Sequence, residues 1–254
     1  MIDLHCHILS NVDDGAQNMS ESIEMAKEAV REGIHTIVAT PHHKNGRDEN
    51  AGGDISAAVR QLNEVLSEQR IPLTVLPGQE VRIYGELLDD LHDSVIPLNI
   101  TSQYIFIELP SNHVPRYTEQ LFYDIQMQGL VPVIVHPERN AEIIENPDKL
   151  YKLVKKGSCT QVTASSVVGR FGKKIQRFTH HLIEANLTHF VASDAHNVTT
   201  RSFHMRKAYD LIDKEFGTQI KFMLMDNAQL LIDGHNIYRD VPERIKRKKF
   251  LGIF

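Results

Sequence analysis

The stretch Ile2–His7 reads IDLHCH. An apolar start and a His-X-His end predict a strand over residues 2–6. Because side chains alternate with period 2, His5 and His7 share one face of it and Cys6 points to the other. Cys6 is therefore a packing residue on this reading. The two imidazoles stand where a strand ends, and that arrangement recurs along the chain. Further strand-like runs lie at 35–39 (HTIVA), 73–79, 104–108 (YIFIE), 131–135 (VPVIV), 159–163 and 189–193 (HFVAS). Around their ends stand Asp14 in DDG, His42 in TPHH, Glu80 in PGQE, Glu108 in FIEL, His136 in VHPER, and Asp194 with His196 in SDAH. The sixth run is the exception, offering only Gln161, Thr163 and Ser165, which are expected to line the pocket at most.

Helical patterns separate the runs. Residues 20–33 place Ile23, Ala26 and Val30 at helical spacing, with Gly33 as a C-cap. Residues 54–69, 116–128, 147–156 and 172–186 read similarly, with Gly157 ending the fourth. Strand and helix alternate about seven times, which predicts an α/β fold with a parallel, TIM-like barrel one unit short of eight. Such a barrel gathers its strand ends at one face, so distant residues meet there.

The whole chain, 1–254, reads as one domain without an internal repeat or linker. Its 41% hydrophobic and 24% charged composition is ordinary for a globular protein. A net charge of -5 gives no basic field for nucleic acid. Two cysteines fit a reducing compartment. With no signal-peptide pattern and no apolar run near the roughly 18 residues of a membrane span, the expected location is cytoplasmic. Residues 44–53 form a polar, Gly-rich loop. Residues 242–254, ending RIKRKKFLGIF, form a basic and then apolar tail. That tail is either a docking element for a subunit, an acidic partner or an anionic membrane surface, or a frayed end.

Five histidines and four carboxylates without a thiolate exceed one ion's needs. They point to two or three hard-to-borderline divalent ions and to metal-assisted hydrolysis. Two ions about 3.5–4 Å apart can hold a hydroxide between them and clamp the oxygens of an in-line displacement. Mn²⁺, Fe²⁺ and Zn²⁺ all suit such ligands. Arg139 and Arg201 follow ligand motifs closely, and a guanidinium fork matches phosphate oxygens. His43 and His113 lie in loops at the same face and are candidate substrate contacts. A cysteine phosphatase is excluded, because the sixth residue after Cys6 is Val12 and after Cys159 is Ser165, neither an arginine. There is no Walker A sequence and no dinucleotide fingerprint.

The order HCH, DDG, TPHH, PGQE, IEL, HPER, SDAH resembles the PHP (polymerase and histidinol phosphatase) superfamily. The fuller strings MIDLHCHIL, VLPGQE, YTEQLFYD, PVIVHPERN and HFVASDAHN resemble its CpsB/CapC-type branch of bacterial manganese-dependent tyrosine-protein phosphatases. The resemblance implies a distorted seven-stranded (β/α)7 barrel with a trinuclear centre. His5, His7, Glu80 and Asp194 would hold one ion. Glu80, Glu108 and His136 would hold a second, and Asp14, His42 and His196 a third. Three Mn²⁺ ions are implied, with Fe²⁺, Zn²⁺ or Mg²⁺ as substitutes. Arg139 and Arg201 match the phosphate-binding positions. The implied substrates are phosphotyrosines on bacterial tyrosine kinases that control capsule or exopolysaccharide export, and on those kinases' other targets. Homo-oligomers are compatible with the resemblance. A phenolate leaving group has a pKa near 10, so no general acid is assigned.

Rival readings share parts of this pattern. A histidinol-phosphate-type phosphatase would use the same ligands. A nuclease would want a basic groove. A kinase-recruiting module would bind metal without turnover. An amidohydrolase would place a lysine on the fourth strand, where this chain has Glu108.

Overall fold

The computed structural model describes residues 1–91 and 93–245. Residues 246–254 of the expected tail, and His92, lie outside the described residues. The first half runs β1 (Ile2–Cys6), α1 (Met19–Glu32), β2 (Thr36–Ala39), β3 (His42–His43), α2 (Gly52–Glu68), β4 (Thr74–Pro77), β5 (Glu80–Arg82) and β6 (Tyr104–Glu108). It continues through α3 (Thr118–Met127), β7 (Val131–Val135), a 3-10 turn (Pro137–Arg139), α4 (Ala141–Glu145), α5 (Asp148–Lys155) and β8 (Cys159–Thr163). The last elements are α6 (Ala164–Val167), α7 (Lys173–Glu184), β9 (Phe190–Ala192), α8 (Met205–Phe216) and α9 (Thr218–Ile232). No described helix is long and apolar enough to cross a membrane.

The α/β architecture with parallel strands is as expected, but the count of seven strands needs correction. The described residues form nine strands in two sheets, ordered β1-β2-β4 and β3-β5-β6-β7-β8-β9. The difference arises because two chain passes are broken. Pro41, which has no N–H to donate, stands between β2 and β3. Gly78 stands between β4 and β5, where a Cβ would lie 2.6 Å from Val38 Cγ1 and 2.8 Å from Leu98 Cδ2. Only glycine allows so close a crossing. At the far edge the chain's last strand meets its first. Asp194 N donates to His5 O at 2.8 Å, and His7 N donates to Ala195 O at 2.9 Å.

Strands β6, β7 and β9 are buried on both faces, which is why they read as almost continuous apolar runs. In β6, Tyr104 and Phe106 join one cluster while Ile105 and Ile107 join another. The first cluster contains Leu4, Val38, Val133, Cys159 and Phe190, with Ala228 and Leu231 of α9 packed into it. The second contains Cys6 and Ile37 and meets the helices through Met25, Ile55, Leu62, Leu121 and Leu182. The packing role expected for Cys6 thus agrees with its place on the helix-facing side.

The predicted helices appear with ends shifted by one or two residues, as helix ends commonly are. Asn18 accepts from Glu21 N at 3.0 Å to start α1, and Gly33 ends it in the left-handed region at φ 86°. Helices α8 and α9 were not expected. Met205, Ala208, Tyr209 and Ile212 of α8 are buried at helical spacing.

Candidate metal centre

All nine candidate ligands converge. His5 lies in β1, His42 in β3, Glu80 opens β5 and Glu108 closes β6. His7, His136, Asp194 and His196 stand in loops soon after strand ends, and Asp14 lies further along the loop between β1 and α1. Parallel register sets His42 beside Glu80, and Arg82 beside Glu108. Glu80 is at the middle of the cluster. Its Oε2 lies 3.3 Å from His5 Nε2, 3.4 Å from His7 Nε2 and 2.9 Å from His42 Nδ1. Its Oε1 lies 2.7 Å from His136 Nε2. Asp194 Oδ1 lies 3.3 Å from His7 Nε2 and 3.6 Å from both His5 Nε2 and His196 Nδ1. Asp14 Oδ1 lies 3.2 Å from His196 Nε2 and 3.5 Å from His42 Nε2.

Three sets of ligand atoms lie within 4.8 Å of one another. One is His5, His7, Glu80 and Asp194, the set the resemblance implies. Another is Asp14, His42 and His196, joined by His7. In the third, His42 stands with Glu80 and Glu108, while His136 approaches only through Glu80. Four buried atoms among them, His42 Nδ1, Glu80 Oε2, Glu108 Oε2 and His196 Nε2, make no well-aligned hydrogen bond, although each faces an opposite charge. Buried polar atoms are rarely left unpaired. Nitrogen and oxygen donors without sulfur fit hard-to-borderline divalent cations.

A surrounding layer orients these ligands. Asp13 Oδ2 lies 2.6 Å from His7 Nδ1 and accepts from His42 N at 3.1 Å, while its Oδ1 accepts from Gly15 N at 2.9 Å. Gln161 Oε1 lies 2.9 Å from His5 Nδ1. Each contact leaves Nε2 of the histidine turned to the cluster. The expected pocket-lining role of Gln161 is thus corrected to orientation of His5. Arg82 Nη2 lies 3.0 Å from Glu108 Oε2. Sequence reading passed over Asp13 and Arg82. Asp13 carried a signal in the DDG doublet, since two adjacent carboxylates can serve a ligand and its support, whereas Arg82 carried none. A Cβ on Gly15 would lie 2.0 Å from His7 O, so this corner requires glycine. His136 and Asp194 are held in the left-handed region, at φ 36° and 53°. Such strained backbone gathers at functional sites.

Opposite charges crowd the cluster and shift one another's titration. Burial raises the Asp194 carboxyl, but Arg139, then His7, His5 and His196, outweigh it and hold it well below the usual range. Burial is likewise overcome at Glu80 by His5, His42 and His136. Glu108 is pushed up to about 7 by burial and by Glu80, against Arg82. His42 is raised to about 10, because Glu80 and Asp14 outweigh its burial. Burial and Arg139 lower His136 to about 4.

Both expected arginines reach the cluster. Arg139 Nη1 lies 2.8 Å and Arg201 Nη2 3.1 Å from Asp194 Oδ2, and Arg201 Nη1 lies 3.5 Å from Asp14 Oδ2. A cleft of about 190 Å³ opens beside them, lined by Glu108, Leu109, Ser111, His136, Arg139 and Asn140. A larger groove of about 810 Å³ lies between α3 and α5, away from these ligands. His113 is exposed, as a substrate contact requires. His43 is only 2% exposed and alternates away from His42, so the structure withdraws it.

The chain is similar to several known proteins. A family described as "Capsular polysaccharide synthesis, CpsB/CapC" matches residues 1–233. The chain is 54% identical over 255 residues to tyrosine-protein phosphatase YwqE of Bacillus subtilis, covering all of both chains. It is 32% identical to tyrosine-protein phosphatase CpsB of Streptococcus pneumoniae, across 91% of this chain and 98% of that one. It also superposes, with a TM-score of 0.95 and 54% identity, on a chain from the crystal structures of YwqE and CpsB, described as metal-dependent tyrosine phosphatases. That match covers 97% of this chain and all of the other.

Proposed function

The chain belongs to the CpsB/CapC family of capsular polysaccharide synthesis, and from that membership we propose that it is a metal-dependent tyrosine-protein phosphatase. The observation that carries this reading is the convergence of eight nitrogen and oxygen ligands, with His136 joined to them through Glu80, beside two guanidinium groups that meet on one carboxylate oxygen, Asp194 Oδ2. The two sheets are read as one distorted barrel wall of seven chain passes, within a single domain.

His5, His7, Glu80 and Asp194 would hold one divalent ion, Glu80, Glu108 and His136 a second, and Asp14, His42 and His196 a third. Mn²⁺ is the proposed metal. When bound, such ions would supply a hydroxide nucleophile near neutral pH and would neutralise charge on a transferring phosphoryl group. The chain's own residues do the rest. Gln161 and Asp13 fix the imidazoles of His5 and His7. Arg139 and Arg201 release Asp194 Oδ2 or share it, and turn their forks onto the phosphoryl oxygens. A phenolate, with a pKa near 10, departs without strong acid assistance. The proposed substrates are phosphotyrosines of bacterial tyrosine kinases and of the cytoplasmic proteins those kinases modify, and the proposed role is in capsule or exopolysaccharide control.

The test is phosphate release from a phosphotyrosine peptide, a phosphoserine peptide and histidinol phosphate, using chelator-stripped protein to which Mn²⁺ is returned. Release from the phosphotyrosine peptide, dependent on Mn²⁺, is the expected result. Preference for histidinol phosphate would keep the centre and move the enzyme to small-molecule chemistry.

A further inference from the structure

Phe171 sits in the loop between α6 and α7 with 40% of its surface exposed. Its ring centroid lies 5.6 Å from Arg139 Cζ, and that guanidinium contacts Asp194 in the cluster. The exposed ring therefore stands next to a guanidinium that reaches the cluster.

The loop is built to hold the ring there. Gly169 and Gly172 are both left-handed, at φ 81° and 92°. Arg170 N donates to Ser165 O at 2.9 Å, and Gly172 N to Gly169 O at 3.1 Å. Gln176 Nε2 donates to Val167 O at 3.0 Å. The loop is also tied to the segment that carries Arg139. Buried Glu138, next in sequence to Arg139, accepts through Oε1 from Thr163 N at 2.9 Å, Thr163 Oγ1 at 3.1 Å and Ser166 Oγ at 2.7 Å. Thr163 and Ser166 begin the turn that leads to Phe171. The aromatic ring and the guanidinium are therefore positioned by one shared anchor.

We propose that Phe171 is a specificity-determining residue that packs against the aryl ring of the substrate while Arg139 holds the phosphoryl group. The inference rests on the phosphatase reading above. In an aryl phosphate only the ester oxygen separates phosphorus from the ring. A phosphoryl group on the Arg139 fork thus brings the ring to the neighbourhood of Phe171, where an offset or edge-to-face pair can form. An alkyl ester or inorganic phosphate has nothing to place there.

The experiment uses metal-loaded full-length protein and compares wild type with Phe171→Ala, Phe171→Leu and Phe171→Tyr. Three quantities are measured: kcat and KM for a phosphotyrosine peptide, and competitive inhibition constants for phenylphosphonate and for inorganic phosphate. Phe171→Ala should raise the peptide KM and the phenylphosphonate constant about tenfold, with kcat and the phosphate constant within about twofold. Phe171→Tyr should restore both values, and Phe171→Leu should fall between. Equal losses for phenylphosphonate and phosphate would overturn the proposal, since the ring would then only support Arg139. Unchanged constants in Phe171→Ala would overturn it alone. A wild-type protein with no Mn²⁺-dependent phosphotyrosine turnover would overturn the phosphatase reading and this inference together.

Discussion

Asp13 Oδ2 lies 2.6 Å from His7 Nδ1 and accepts from the backbone N–H of His42 at 3.1 Å. One carboxylate oxygen thus ties the histidine that follows β1 to the histidine that opens β3. An outer partner of this kind fixes the tautomer and raises the basicity of the ligating imidazole. Asp13→Asn should weaken metal binding by about 10–100-fold while the fold persists. Titration against a competing chelator measures this, and an unaltered affinity would remove Asp13 from the centre.

Gly15 packs against the carbonyl of His7, so Gly15→Ala forces the backbone apart. Urea melts should show a loss of about 1–3 kcal/mol, typical of overpacking, together with lower metal content. Gly53→Ala is the control, because a Cβ there meets nothing within 4 Å. It should be neutral or gain about 0.4–1 kcal/mol.

His136→Ala and Asp194→Ala should each collapse turnover, because each removes a proposed ligand of the ions that would supply the nucleophile. Arg139→Ala should retain its metal, measured by elemental analysis, and still lose kcat/KM for phosphotyrosine. Near-wild-type rates in metal-loaded His136→Ala or Asp194→Ala would refute the assignment.

In the protein without ions, His42 is raised to about 10 and His7 is also raised, since neighbouring carboxylates outweigh their burial. With its value near 10, His42 holds a proton at neutral pH, and a ligating imidazole must be neutral. Metal binding therefore expels protons, at least about one per protein, and affinity falls as pH falls. Calorimetry in buffers of different ionisation enthalpy reads the release directly. Equal heats in all buffers would contradict it.

His189 is buried and lowered to about 3, by desolvation and then by Arg239. Its folded value lies below its unfolded one, so on acidification the unfolded chain takes up the proton first. The stability is complete above roughly pH 6.5 and is lost as pH falls from there towards 3, at about 1.4 kcal/mol per pH unit. His189→Gln should flatten that slope in denaturant melts recorded from pH 7 to pH 5. A slope as steep as wild type would assign the loss to other groups.

Much of this was legible in the chain because local chemistry and periodicity agreed. The strand YIFIE is buried on both sides as its apolar run implies, and the ligands gather at one end of the strands, although His42 and Glu80 open short strands of their own rather than ending the ones read from the sequence. The broken passes at Pro41 and Gly78 were less legible, because a chain crossing depends on what lies across from it. Arg82 was invisible because only parallel register sets it beside Glu108. Gln161 was undervalued because an amide looks inert until its partner, His5 Nδ1, is known. The stripe of α8 was present in the sequence, but nothing in the barrel pattern required it.

Cys6 Sγ meets Ala195 O across 189 residues of sequence, and Asp194 and His196 flank that joint. A nascent chain still on the ribosome has the early histidines long before it has these two residues. On the proposed assignment, two of the three ion positions wait for the last strand to emerge and dock. An unfinished or truncated copy would then be silent.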